Sequence, residues 1–214
     1  TDIMSVGGIT NAIVRFCTSV VGHVKGGLAH VNVLGSMLFA GLSGSALADV
    51  SGLGPLEIQM MEKAGYKREY AATVTAASSI IGPIIPPSNV MIIFAGAVGT
   101  VSVGKMFLAG IVPGIMLGIS FMVLCYFYAV RDNVPCRKRA TLKEILIAFR
   151  VTLPALMLPI IIMGSIASGI CTATESSALA VTYAIVVSVC MRKLTFRSFV
   201  RCCIRAAKAT ANVL

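Results

Sequence analysis

Two short stretches of this sequence interrupt apolar runs with residue types that can do chemistry. The first is Ser43-Gly44-Ser45. The second is Gly82-Pro83-Ile84-Ile85-Pro86-Pro87-Ser88, followed by Asn89. Serine hydroxyls are hard oxygen ligands without a full charge, and so are main-chain carbonyls freed where glycine and proline interrupt a helix. Both suit a hard cation such as sodium. Ser43, Gly44, Ser45, Ser88 and Asn89, with the carbonyls around residues 82–87, form the candidate set. The same residues are also ordinary turn and cap formers, and the pattern alone does not choose between the readings. Asp49, four residues after Ser45, is a carboxylate in an apolar stretch and so a functional candidate. It is equally a carboxylate favoured by the positive end of a helix.

A nucleophile has to be weighed as well. Gly41-Leu42-Ser43-Gly44 matches the G-x-S-G of intramembrane serine proteases. That chemistry needs a histidine base on a later span to activate the serine. Both histidines, His23 and His30, precede Ser43, so no catalytic residue is assigned. Neither histidine has a metal-ligand partner, and the seven cysteines lack ligand spacing. Several lie in or beside apolar runs, as small buried hydrophobes do. Thr172-x-x-Glu175 reads as a capping box opening a helix.

These candidates need elements to hold them, and composition says which kind. Hydrophobic residues make up 57% of the 214 and charged residues 12%, far from a soluble balance. A bilayer core about 30 Å thick needs about 20 apolar residues in a helix. Residues 70–104 and 106–130 carry no charge, and 151–191 carry only Glu175. The chain is therefore expected to be an all-α, multi-pass membrane protein.

Residues 31–56 are apolar but broken at the centre by Ser43-Gly44-Ser45. Each arm is too short to cross alone, so a re-entrant helical hairpin is expected, with both ends on the cytoplasmic side. The three prolines in 82–88 forbid a continuous helix, so 70–99 should be a discontinuous span. Residues 1–30 are read as the end of an earlier span or a surface helix with a cytoplasmic connection, and 57–69 as a charged cytoplasmic loop. Residues 105–130 are one span, with a possible kink at Pro113. Residues 131–151 form a basic loop and an amphipathic arm helix, and 152–191 two further spans joined near Gly169. Residues 192–214 are expected to form a basic amphipathic helix on the anionic leaflet, with Lys193, Arg197, Arg201 and Arg205 at i, i+4 spacing.

The formal charge of +10 sits in the gaps between apolar runs. If 31–56 re-enters, 17 of the 18 Lys and Arg fall on one side and only Lys105 on the other; if it spans fully, the division is 15 to 3. Both are asymmetric in the sense of the positive-inside rule, so the polar midpoint carries the hairpin reading. No aromatic-interleaved basic face appears, which sets nucleic acid aside. Thr1 opens no signal-peptide pattern, and the chain stops mid-pattern, so it is expected to be a fragment.

The segments VGHVKGGLAHVNV, GLSGSALADVSGLGPLEIQMMEKAGY, AASSIIGPIIPPSNVMIIFAG, VSVGKMFLAGIVPG and SGICTATESSALAV follow in order. This series closely resembles the large membrane subunit of TRAP (tripartite ATP-independent periplasmic) transporters. The resemblance implies an elevator-type fold of two inverted repeats, of which this chain would supply the first. It also implies sodium-driven uptake of small organic acids, of the C4-dicarboxylate or sialic acid class, across the bacterial inner membrane. The implied partners are a small membrane subunit, a periplasmic binding protein and the lipid bilayer, with Na+ as coupling ion and no organic cofactor. Carried over by position, Ser43, Gly44 and Ser45 match the hairpin tip, and Gly82, Pro86, Pro87 and Ser88 the facing break. Together they would hold the first sodium, with Ser45, Asp49, Ser88 and Asn89 toward the substrate. The second repeat, and with it half the binding machinery, would lie elsewhere. A passive channel subunit is the remaining alternative.

Overall fold

The computed structural model describes residues 9–132, 139–190, 195, 199–204 and 206–207. The regular structure among the described residues is all helix, without a strand. In chain order the helices are α1 (Ile9–Val21), α2 (Gly27–Ser43), α3 (Ala46–Gly52), α4 (Gly54–Lys63), α5 (Arg68–Ser79), α6 (Asn89–Val98), α7 (Val103–Arg131), α8 (Leu142–Ala167) and α9 (Ala173–Cys190). α7 and α8 are long and apolar enough to cross a bilayer. The C-terminal basic helix expected over 192–214 falls mostly outside the described residues; 199–204 are helical.

α2 is the axis of the bundle. It packs against α1, α3, α4, α5, α7 and α8, and thirteen of its residues are buried, from Gly27 to Ser43. Its apolar residues run all round the helix, as expected of one enclosed by neighbours. α1 is amphipathic and lays its apolar face into the core, where Ile13 and Cys17 are fully buried. Thr152 of α8 donates to the Ala12 carbonyl at 3.0 Å, tying α1 to α8.

Three boundaries differ from the sequence expectation. α2 begins at Gly27, because Gly26 takes a left-handed conformation (φ 73°) that starts the helix before residue 31. The arms of the hairpin are therefore unequal, 17 residues against 7, and the second continues through Leu53 into α4. The stretch 57–69 is not a loop: α4 runs to Lys63 and α5 starts at Arg68. The arm helix and the span after it are one element, α8, capped by the Thr141–Glu144 capping box and continuous through Pro154 and Pro159. Helices among helical neighbours tolerate such prolines when other groups satisfy the freed carbonyls. α7 likewise continues through Pro113.

Candidate functional site

The site grows from two places where the main chain stops being helical. At the first, α2 ends on Gly44, whose φ of 58° and ψ of 19° put it in the left-handed region that favours glycine. Ser45 turns extended and caps α3, its Oγ accepting from the Ala48 amide at 3.5 Å. The chain then returns beside α2, so that Glu57 on α4 lies against Gly35. α3 and α4 thus fold back along α2 from the turn at Gly44.

At the second place, α5 ends at Ser79 and α6 starts at Asn89, with turns between. Ser88 caps α6: its Oγ accepts from the Met91 amide at 3.3 Å and donates to the Pro83 carbonyl at 2.5 Å. Ser88 is fully buried.

The two interruptions meet. The Asn89 amide donates to the Gly44 carbonyl at 3.3 Å, and Asn89 Nδ2 reaches the Ser43 carbonyl at 3.5 Å. A Cβ at Gly44 would run into the Pro87 carbonyl oxygen, and one at Gly82 would lie 3.1 Å from the Ser45 carbonyl carbon. Main chain thus lies on main chain, which is why glycine stands on both sides. The contact backs onto a cavity of about 280 Å³ lined by Ser43, Pro87 and Asn89, with Phe107 of α7, Leu158 of α8 and Ala184 of α9 among its walls.

Of the expected site residues, Ser43, Gly44, Ser45, Gly82, Pro87, Ser88 and Asn89 converge here, and the Pro86 carbonyl oxygen approaches Gly41 on the same side. Asp49 is placed apart. It is 1% exposed and turned toward Ser36 on α2, behind the tip. Sequence reasoning missed the far wall and the seat of the break. Gly110, Gly114 and Gly118 stand at four-residue intervals on α7, where Cβ atoms would collide with Ile84 and Met91, Ile85, and Met37 respectively. This G-x-x-x-G-x-x-x-G stripe was the available signal.

Ser43 has no catalytic setting. Its Oγ lies 3.5 Å from the amide and the carbonyl of Ser45, while His30 Nδ1 pairs with the Gly26 carbonyl oxygen at 3.1 Å. Among the described residues no group of three or more His, Cys, Asp or Glu could hold a metal ion.

Two helix breaks face each other inside an apolar helical bundle, and the family this sequence matches is one of membrane transport permeases, not of enzymes. The chain belongs to the DctM component family of tripartite ATP-independent periplasmic transporters, which it matches over residues 1–214. It is 41% identical over 212 residues to the sialic acid TRAP transporter permease protein SiaT of Haemophilus influenzae, covering 99% of this chain and 34% of that protein. Against the 2,3-diketo-L-gulonate TRAP transporter large permease protein YiaN of Escherichia coli K12 the identity is 42% over 214 residues, 100% of this chain and 50% of the relative. The C4-dicarboxylate TRAP transporter large permease protein DctM of Pseudomonas aeruginosa is 42% identical over 180 residues, 84% of this chain and 42% of its own length. The chain thus spans between a third and a half of these relatives.

Proposed function

We propose that this chain forms the first half of the membrane permease of a sodium-coupled importer of small organic acids, working as an elevator in the bacterial inner membrane. The observation that carries the reading is the contact of the hairpin tip with the helix break, Asn89 amide on Gly44 carbonyl. At the tip the Ser43 and Gly44 carbonyls accept from Asn89 and the Ser45 carbonyl from the Asp49 amide, each keeping a second lone pair that a cation could take where water is scarce. A cation between tip and break bridges the two at once. Sodium would take oxygens of Ser43, Gly44 and Ser45 from the tip and of Gly82, Pro86, Pro87 and Ser88 from the break. Ser88 keeps one lone pair for it, since its proton goes to Pro83 and one lone pair to Met91.

The substrate would sit on the cavity side, where Asn89 lines the wall and Ser45 and Ser88 fix the two helix starts. Asp49 supports the return arm from behind. The hairpin is read as re-entrant, with residues 31 and 57 on the cytoplasmic side. The first turns of α8 lie at the interface, where Leu142, Leu146 and Ile147 are exposed beside Lys143. The relatives are named for sialic acid, 2,3-diketo-L-gulonate and C4-dicarboxylates, which supports a small organic acid as the substrate. A periplasmic binding protein and a small membrane subunit are the expected partners, in keeping with a tripartite system.

Uptake by proteoliposomes containing the full-length permease and both partners tests this. An inward sodium gradient should drive accumulation of the delivered acid, and an equal potassium gradient should not. Equal uptake under both gradients would remove sodium from the account.

A further inference from the structure

Away from the tip, three helices leave a cleft that the sodium reading does not use. It measures about 740 Å³ and is walled by α1, by α4 and by the start of α8 with the segment leading into it. That volume is in the range of small-molecule sites. Two cations line it, Arg15 from α1 and Arg139 from just before α8, and both are exposed. Val14, Leu56, Met60 and Ala148 make its apolar wall.

The two guanidiniums have no acid to themselves. Among the described residues the ion pairs are Arg68–Glu62 and Arg131–Asp132. Glu144 lines the cleft too, but its Oε2 accepts from the Thr141 amide at 2.8 Å as part of the capping box. One carboxylate held at the cap against two guanidiniums leaves the wall net positive. The hydroxyls are already engaged: Thr18 and Ser19 donate to the Val14 and Phe16 carbonyls, each at 2.7 Å. The side-chain donors left on the wall are the Asn11 amide and the two planar guanidiniums. Guanidinium forks match an oxyanion with several oxygens, as a phosphate has.

The surroundings decide which phosphate. The turns of α8 that wall the cleft, and the turn after them, expose Leu146, Ile147 and Val151. α8 is also long and apolar enough to cross a bilayer. A free phosphate would leave the apolar wall uncovered. A phospholipid carries a phosphate and acyl chains on one molecule, and it belongs to the bilayer around α8. Charge narrows the choice further. A zwitterionic head brings its own cation toward the two guanidiniums, whereas an anionic head is attracted by them.

We propose that this cleft holds an anionic phospholipid, its phosphate on Arg15 and Arg139 and its chains along the exposed apolar residues of α8. The lipid then joins α1, the return arm α4 and α8 at one point. The site needs a bilayer but no sodium at the tip, so it and the sodium reading fail separately.

The test uses the full-length permease with its partners, delipidated in detergent and followed by native mass spectrometry and thermal melting. Added phosphatidylglycerol should stay bound and raise the melting temperature, and phosphatidylcholine with the same chains should do neither. Arg15→Gln should weaken phosphatidylglycerol binding about fivefold, and Arg15→Gln with Arg139→Gln about thirtyfold. Arg131→Gln, outside the cleft and beside Asp132, should leave binding unchanged. An equal loss in Arg131→Gln would mean diffuse surface attraction and would overturn the site. So would equal retention of the two lipids, or displacement of phosphatidylglycerol by inorganic phosphate, which would make the cleft a free-anion site. Arg15→Cys in a cysteine-replaced full-length chain should react with a water-soluble maleimide in lipid-free detergent and be protected by phosphatidylglycerol. If it resists the maleimide without lipid, protein fills the cleft and the proposal is wrong. If the double glutamine variant fails to assemble, wild-type protein decides: no preference for phosphatidylglycerol over phosphatidylcholine counts against the site.

Discussion

The tip contact and the cluster behind it are both polar and both sit in an apolar bundle, yet they are built oppositely. At the tip the polar groups are mostly main chain, brought together by glycine and proline, and one side opens onto a cavity. Behind it the polar groups are side chains of regular helices, Asn32, Ser36, Thr75 and Ser78, closed off and bonded to each other. Open main chain can exchange a partner during a transport cycle, whereas closed side-chain networks fix which helices pack together. The first region should therefore answer to changes of backbone space, and the second to changes of side-chain chemistry.

The largest effect is expected at Gly44. Gly44→Ala forces a side chain into the left-handed region and against the Pro87 carbonyl. Strain of about 1–2 kcal/mol and an overpacking cost of about 1–3 kcal/mol would separate tip from break. Uptake by the reconstituted permease should fall at least tenfold while membrane insertion is retained. Near-normal uptake would show that the contact is dispensable.

Asn32→Ala should act on the other region alone. It strips a fully buried amide from Thr75 and Ser78, and each polar group left unpaired costs about 1–3 kcal/mol. The melting temperature should drop, with the sodium concentration for half-maximal uptake unchanged. A shifted sodium dependence would mean that the two regions are one site.

How much of this could be read from the sequence depends on what each feature is made of. Both breaks were legible because Gly, Pro and Ser punctuate apolar runs conspicuously, and their convergence followed from the cost of leaving two sets of carbonyls unpaired. The cluster behind the tip was not, since its serines and threonines look like ordinary helix residues until the partner helix is known. Glu57 was misread as water-facing because charges crowd residues 57–69. Yet Glu57 and Met61 are one helical turn apart, and Met61 is 1% exposed, so both lie on the buried face of α4. The arm helix was expected to end at residue 151, but the helix continues through Pro154, where Thr152 and Tyr183 donate to the Ala148 and Pro154 carbonyls respectively.

The smallest of these effects is expected at Ser88, where the comparison becomes sharpest. Ser88→Ala removes the cap of α6, worth about 1 kcal/mol, together with one sodium ligand. Stability should fall slightly and the half-saturating sodium concentration should rise. A loss of stability with no change in sodium dependence would leave Ser88 as a cap only.

The most direct test of the central claim is a cross-link across the two breaks. Ser43→Cys and Asn89→Cys, introduced together into a full-length permease with its native cysteines replaced, place thiols on residues whose main and side chains already touch. If the breaks close around sodium, the pair should cross-link in membranes, and sodium should change the rate at concentrations where potassium has no effect. A pair that never cross-links, or that does so equally in sodium and potassium, would contradict a shared sodium site.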